Sequence, residues 1–560
     1  MLLIFTDTHI NIFISNNSIE KVVFRDSLKY NQKTKKMGRS KINCDYFMVI
    51  MFFFVFNMVN ASHKAIISAM DYQTYLCGKN KDAEKKEDQF TCLITSTSRT
   101  VNVKDFGAKG DGVTDDTEAI TAAITGSSDG LVEFPRGRYR ITKTINVVLA
   151  ESGPVGLTGR GASATIIMEG EGPAFCFTGS HNGTADPESV KKITWFKERM
   201  PMVDALEIVG ANPKADGLEL YHTLMPVVRS VLIRNVRHGI HLTSRNRNVI
   251  ISNCHIYDCS GVGIYLDSVN LHQVIINDSH ISYCRLGGIM VSKSEIRDFQ
   301  ITGNDIEYNC DPKGVVAADI WIDCSQCGSV REGIISGNTI QAIPSPGGAN
   351  IRFTGPESNA EQIGLWSITG NHISNQTMNI YLDHTQGISI TGNTFIRGYD
   401  CHMKIDNSHN IIVSANVFDH NNDYFPKNIS APGGITVYKC RNLILSDNIL
   451  DGVNYGSTED GGAIMIRESG EITVSDCQII NPEYRGIQVI NSTNVRVSEC
   501  LVTEHSKSLR MLAAIELKGV CTGTIVRDNS VSRGKNGDII NHSNGATVEA
   551  NIPIGKGSEH

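Results

Sequence analysis

The sequence predicts an all-β fold, a parallel β-helix solenoid, and three observations predict it. From residue 217 onward a short strand pattern G-I-x-L recurs, as in "GIHLTS", "GIYLDS", "DIWIDC", "NIRFTG", "NIYLDH", "HMKIDN" and "GIQVIN". Each is followed by a second pattern, V-x-I-x-x-N-x-I, as in "FQITGNDI", "WSITGNHI", "ISITGNTF" and "IIVSANVF". The pair returns every roughly 22 to 34 residues, with apolar alternation and Gly or Asn turns, so each repeat is one coil stacked on the next. The third observation is a single turn position that carries Asn304, Asn338, Asn371, Asn393, Asn416, Asn448 and Asn529. Stacked Asn side chains hydrogen-bond along a coil axis and tolerate left-handed backbone. Cys254, Ser279, Cys477 and Cys500 fill that position in other coils, which makes them ladder members rather than metal ligands.

Composition agrees with this class. The chain has 560 residues, 41% hydrophobic and 20% charged, as a globular protein does, and its 51 Gly against 7% aromatics suit a turn-rich β architecture. A formal net charge of -7 argues against a nucleic-acid partner, which calls for a basic face.

The N-terminus reads as an export signal. Lys33, Lys35, Lys36, Arg39 and Lys41 precede "YFMVIMFFFVFNMVNAS", whose apolar core of about a dozen residues is short for a bilayer span. Val59-Asn60-Ala61 offers a small residue at the cleavage point, and the distance of the basic run from Met1 points to Met37 as the true start. An uncleaved anchor is the alternative to a signal peptide. The expected product is secreted or periplasmic, with no stable membrane insertion. Residues 1–61 are thus an extension with signal peptide, 62–99 a polar arm, 100–173 a cap with the first coils, and 174–555 the helix repeats. Fifteen Cys at irregular spacing define no disulfide framework, though Cys77 and Cys92 can pair in the arm. Cys324 and Cys327 form a lone C-x-x-C, read as packing or a local disulfide.

The stretch "DFGAKGDGVTDDTEAI" starts the fold. Its Gly residues make a tight turn, and Asp115, Asp116, Thr117 and Glu118 look like an N-cap and first helical turn. A helix near 116 to 126 would plug the open end of the coil and protect it from edge pairing. Together with "GLVEFPRGRYRITKTI", this stretch resembles the start of pectate-lyase-like, right-handed parallel β-helix proteins. That superfamily includes polygalacturonases, rhamnogalacturonases, alginate epimerases and lyases, and phage tailspikes. The resemblance implies a right-handed solenoid whose chemistry lies on the outer face of one stacked sheet, with a polysaccharide as partner. The expected polygalacturonase motifs and the epimerase D-P-H-E are absent: "NIYLD" is not N-x-D and "RHGIHL" is not G-H-G.

In each G-I-x-L strand the apolar residues point inward and the x positions outward. The outward positions, rung by rung, are His241 and Thr243; Tyr265 and Asp267; Met290 and Ser292; Asp319, Trp321 and Asp323; and Asn350, Arg352 and Thr354. They continue with Asn379, Tyr381 and Asp383; His402, Lys404 and Asp406; Thr436 and Tyr438; and Met465 and Arg467. Acids, bases and aromatics concentrate in the middle rungs, beside the longer turns "NCDPKGVVAA" and "QAIPSPGGA" that can wall a cleft.

Rungs stack about 4.8 Å apart, so Asp383 and Asp406, in one column on adjacent rungs, have carboxyls roughly 5 Å apart, with Asp323 roughly 10 Å away. Glycoside hydrolysis needs two carboxyls about 5 to 9.5 Å apart, one protonated and one ionised. The candidate catalytic set is therefore Asp383, Asp406, Asp323, Arg352 and Lys404, with Trp321, Tyr381, Tyr265, His384 and Asp267 binding substrate. This route needs no cofactor and no metal. The alternative is β-elimination from a uronate, with Arg352, Lys404, His384 or Tyr381 as base and Asp residues holding a calcium ion. A third reading is a non-catalytic glycan-binding β-helix. Arg352, Lys404, Lys293 and Arg467 favour an acidic or sulfated polymer. The sequence leaves monomer and homotrimer both open.

Overall fold

The structure, a computed structural model, describes residues 2–6, 9–13 and 100–555 apart from 128–129, 162, 426–429 and 507. The signal peptide, the Met37 start, the polar arm and the Cys77–Cys92 pair lie outside the described residues. Leu2–Thr6 and His9–Phe13 form an antiparallel pair of strands in a unit of their own.

From Thr100 onward the chain coils into a parallel β-helix with three faces. Face A collects the G-I-x-L strands, among them Gly287–Ser292, Ala318–Asp323, Ala349–Thr354 and the C-terminal half of His372–Asp383. Face B follows in each coil and carries the second pattern, as in Ser329–Ser336 and Ile363–Thr369. Face C is a short strand, as in His280–Ser282 and Asp305–Glu307. Successive coils pair in parallel and in register, for example Ile320↔Ile351↔Ile380↔Met403↔Ile435. That column and its neighbour Ile322, Phe353, Leu382, Ile405 and Val437 are buried and form part of one core running along the coil. Burying each such side chain contributes roughly 1.5–3 kcal/mol before chain entropy is counted. Gly333 is fixed by this packing, because a Cβ there would collide with the Trp366 ring, which fills the space from the next rung.

Polar ladders run along all three corners. At the corner from B to C, the backbone N–H and Nδ2 of Asn304 donate to Asn338 Oδ1 at 2.9 and 3.0 Å, and Asn338, Asn371, Asn393 and Asn416 repeat the pattern. Cys254, Ser279, Cys477 and Cys500 occupy this ladder as expected. At the corner from A to B, a ladder of Thr385, Ser408, Cys440, Ser469 and Ser492 links coils through their backbone N–H groups. The corner from C to A holds Cys284, Asn309, Asp319, Asn350 and Asn379.

This last ladder corrects the sequence reading. Asp319, Asn350, Asn379 and His402 do not point outward; all four are buried. The chain turns the corner between Asp319 and Ile320, so both point inward and the strict alternation begins only at Ile320. Cys324 and Cys327 are both free, the first buried and the second exposed. Burial and the charge of Asp323 push the Cys324 thiol up to about 12, which suits packing rather than chemistry.

The opening Asp cluster is structural. The helix runs Thr117–Ser127, with Ile120, Ala123 and Ile124 packed into the core at the start of the coil. Asp116 is buried and accepts the Lys109 and Gly110 N–H groups at 2.7 and 2.9 Å. Asp115 caps the helix through the Thr117 N–H at 3.1 Å, and Asp111 closes a turn through Val113 and Thr114. None of the three faces the middle rungs.

Candidate active site

Face A presents two outward columns. The first reads Tyr265, Met290, Trp321, Arg352, Tyr381, Lys404 and Thr436 in successive register. The second reads Asp267, Ser292, Asp323, Thr354, Asp383, Asp406 and Tyr438. Nine of the ten residues expected at the site thus share one face, and His384 adjoins it at the end of the Asp383 strand. The face is not uniform: Tyr265 and Asp267 stand four rungs from Tyr381 and Asp383, beside His241 rather than beside the acid pair. The His241 and Tyr265 rings stack at 5.2 Å with 5° between planes.

The middle rungs are knit by cation–π contacts. The Arg352 guanidinium lies 5.2 Å from the Trp321 ring centre and 4.7 Å from that of Tyr381, and Lys404 Nζ lies 5.1 Å from Tyr381 on its other side. Arg352 Nη1 donates to the Gly347 carbonyl at 2.9 Å, which ties the face to the turn before its strand. Burial holds the Arg352 guanidinium below its ordinary range and, with the carboxylates of Asp383 and Asp406, lifts the Tyr381 hydroxyl. Trp321 Nε1, Arg352 Nε and Thr354 Oγ1 are shielded from solvent without a hydrogen-bond partner.

Asp383 and Asp406 are in register on adjacent rungs, but their surroundings differ. His384 Nδ1 lies 2.8 Å from Asp383 Oδ1, and Asn407 Nδ2 donates to the same oxygen at 2.9 Å. His384 and Asn407 occupy one corner position on neighbouring rungs, both in the left-handed region with φ of 52° and 48°, which turns their side chains back onto Asp383. Asp406 is buried, with Lys404 Nζ at 3.3 Å. Lys404 pulls the Asp406 carboxyl down, yet burial and the neighbouring charge of Asp383 prevail and hold it above the usual carboxylate range. Asp323 is engaged differently, accepting the Ser325 N–H at 2.9 Å in a local turn.

This donor set does not fit calcium, which takes six to eight oxygen ligands. Lys404 already stands against Asp406, His384 and Asn407 occupy Asp383, and Asp323 closes its own turn. Arg352 and Lys404 supply positive charge on this face instead.

Two residues of the site escaped the sequence reading. Asn407 was hidden because nothing in sequence says which way a corner Asn turns. Tyr455, on the turn after the Ile449–Asp451 strand, packs with Trp321 and Tyr381 against Ala318, Ala349, Met378 and Cys401. Beyond it a cavity of ≈ 370 Å³ is lined by Asp400, Tyr455, Asp460 and Met465. A larger one of ≈ 900 Å³ lies off this face, at the corner beside Tyr283 and Tyr308. Among the described residues, no helix is long and apolar enough to cross a membrane.

Comparison with known proteins places three family descriptions along the coil. Residues 100–181 match "Rhamnogalacturonase A/epimerase, pectate lyase-like", 207–328 match "Right handed beta helix region", and 331–518 match "Periplasmic copper-binding protein (NosD)". Mannuronan C5-epimerase AlgE1 of Azotobacter vinelandii is 27% identical over 219 residues, 29% of this chain and 16% of the relative. Plasmin and fibronectin-binding protein A of Streptococcus pneumoniae (strain ATCC BAA-255 / R6) is 22% identical over 496 residues, 84% of this chain and 60% of the relative. The chain therefore spans less than two thirds of either relative. Among solved structures, the Dettilon tailspike protein (gp208) aligns with a TM-score of 0.42 at 16% identity, covering 79% of this chain and 68% of that one. With its three-faced coil, its stacked corner ladders and these matches, the chain has a right-handed parallel β-helix fold whose first coils are similar to the pectate-lyase-like family.

Proposed function

We propose that this chain is an extracellular carbohydrate-active enzyme, secreted or periplasmic, that hydrolyses glycosidic bonds in an acidic polysaccharide. One observation carries the reading: two carboxyls in register on adjacent rungs sit in unequal surroundings. Pairs whose environments push their proton affinities apart are how acid and base roles are divided at one pH. Asp406, held above the usual carboxylate range, is the general acid, and Asp383, hydrogen-bonded by Asn407 and beside His384, is the nucleophile. One rung is about 4.8 Å, close to the roughly 5–5.5 Å carboxyl separation of retaining enzymes.

In the first step Asp383 attacks the anomeric carbon while Asp406 delivers its proton to the leaving oxygen, which gives a glycosyl ester on Asp383. Water then attacks that ester with Asp406 as base, returning its proton and freeing the sugar. Trp321, Tyr381 and Tyr265 offer ring faces for pyranose stacking, and Arg352 and Lys404 hold substrate carboxylates. Asp323 and Asp267 stand farther along the same outward column.

Elimination is the second reading, favoured by the desolvated Arg352 and by similarity to a C5-epimerase, whose name places chemistry at the sugar C5. There Arg352 or Lys404 neutralises the uronate, and Tyr381, His384 or Lys404 takes the C5 proton. Similarity over 84% of the chain to a plasmin and fibronectin-binding protein supports a third, non-catalytic reading. Substituting Asp383→Asn and Asp406→Asn and assaying both on a panel of acidic and neutral polysaccharides tests the hydrolytic assignment: both should lose turnover with the β-sheet circular dichroism intact. Full activity in both variants contradicts it.

A further inference from the structure

Face C carries a cluster that the carbohydrate site does not use. Strand His280–Ser282 pairs with strand Asp305–Glu307 in the register His280↔Asp305, Ile281↔Ile306 and Ser282↔Glu307. Ile281 and Ile306 are buried, so the alternation turns His280, Asp305 and Glu307 to the outer surface. One ligand-capable atom from each of the three lies within 4.8 Å of the others.

His280 and Asp305 form a loose ion pair, and Glu307 crowds Asp305 beside it. His280 Nε2 stands 3.6 Å from Asp305 Oδ2, beyond hydrogen-bond reach. His280 Nε2 and Asp305 Oδ1 are both shielded from solvent and both lack a partner. Among the described residues, neither Asp305 nor Glu307 is bridged by Lys or Arg, whereas Asp406 has Lys404 beside it. Two carboxylates crowded on a shielded imidazole nitrogen, without a cation, is an arrangement that a metal ion completes.

The backbone under the cluster is held at both ends. Ser279 and Asn304, directly before His280 and Asp305, belong to one corner ladder, and Cys284 and Asn309, just after the strands, belong to another. Ligands on strands pinned this way are set in place before any ion arrives.

We propose that His280, Asp305 and Glu307 form a binding site for one divalent cation of the zinc class, bridging two adjacent coils. One imidazole nitrogen and two carboxylate oxygens suit Zn²⁺, Co²⁺ or Mn²⁺; sulfur-seeking Cu(I) and the all-oxygen preference of Ca²⁺ and Mg²⁺ fit less well. Three protein ligands leave a fourth position for water or an outside donor. The triad lies outside the segment matched by the copper-binding family description, residues 331–518. The site stands apart from the acid pair on face A and does not depend on the hydrolytic reading.

Co²⁺ added to the full chain after chelator stripping tests this, because cobalt reports its ligands optically. Wild type should take up one equivalent with visible d–d absorption and no near-ultraviolet thiolate band, and its melting temperature should rise. His280→Ala and Asp305→Asn should each lose that equivalent and the rise. His372→Ala, on the same face and outside the triad, should keep both and controls for general surface-histidine binding. Circular dichroism checks that each variant folds. Uptake that survives in both triad variants, uptake with a thiolate band alone, or no uptake by wild type would overturn the proposal.

Discussion

Asp383 and Asp406 meet across one rung of face A, yet only one of them has polar partners from the corner: His384 and Asn407 attend Asp383, while Asp406 is buried against Lys404. On this difference Asp406 is the proposed proton donor. If it is the acid, activity has an alkaline limb set by its ionisation. Asp406→Asn should lower kcat by about 10²- to 10⁴-fold and abolish that limb. Lys404 pulls the Asp406 carboxyl down, so Lys404→Met should move the limb to higher pH. A pH profile of kcat/KM on each variant reads both effects.

Arg352 bridges Trp321 and Tyr381 and adds a positive charge beside that of Lys404 on this face. Arg352→Ala should raise KM on a carboxylated polymer by roughly tenfold, in line with about 1–2 kcal/mol for a desolvated cation–π pair, and leave a neutral polymer less affected. Steady-state kinetics on matched acidic and neutral substrates, repeated at two salt concentrations, checks it.

The Asn ladder makes a stability prediction that is independent of function. Asn393 Oδ1 accepts both the N–H and Nδ2 of Asn371, and its own Nδ2 donates to Asn416. Asn393→Ala orphans buried groups on both neighbours, each at a cost of about 1–3 kcal/mol. Urea unfolding should show this loss without a change in the apolar core.

Asp319 links stability to pH. It is buried, accepts Asn309 on one oxygen and Asn350 on the other, and burial raises it to about 7 from 3.8. The folded state therefore holds this proton more tightly than the unfolded chain. Its contribution is fully present below about 3.8 and is lost as pH rises through about 7, on the order of 4 kcal/mol across that window. Asp319→Asn removes this dependence, so wild type should gain stability over the variant as pH falls from 8 to 5. Parallel denaturant titrations at the two pH values measure the difference.

Asp116 should matter to folding alone. Asp116→Ala strands the buried acceptors' partners at Lys109 and Gly110, costing about 1–3 kcal/mol, while kcat at a temperature well below unfolding stays at the wild-type value.

The coil was legible because each rung repeats the same alternation, so errors in one repeat are corrected by the next. The Asn column and the two outward columns of face A follow from that redundancy, while the capping helix was legible from its own Asp-Asp-Thr-Glu start. Corners were not legible to the same degree. Alternation alone placed Asp319, Asn350, Asn379 and His402 outside, because the phase reset between Asp319 and Ile320 leaves no mark in residue type. The Thr385–Ser408–Cys440 ladder was missed since its members differ in chemistry from coil to coil. Tyr455 was missed because a turn folds it over a strand far back in sequence, and Asn407 because its orientation depends on a left-handed backbone.

The most direct test of the central claim is mass analysis of the fragments released from an acidic polysaccharide by the full chain. Hydrolysis by the Asp383–Asp406 pair predicts fragments that carry one added water and saturated ends, absent with Asp406→Asn. Fragments lacking that water and ending in an unsaturated uronate would contradict it and assign the chemistry to Arg352, Lys404 and Tyr381 instead.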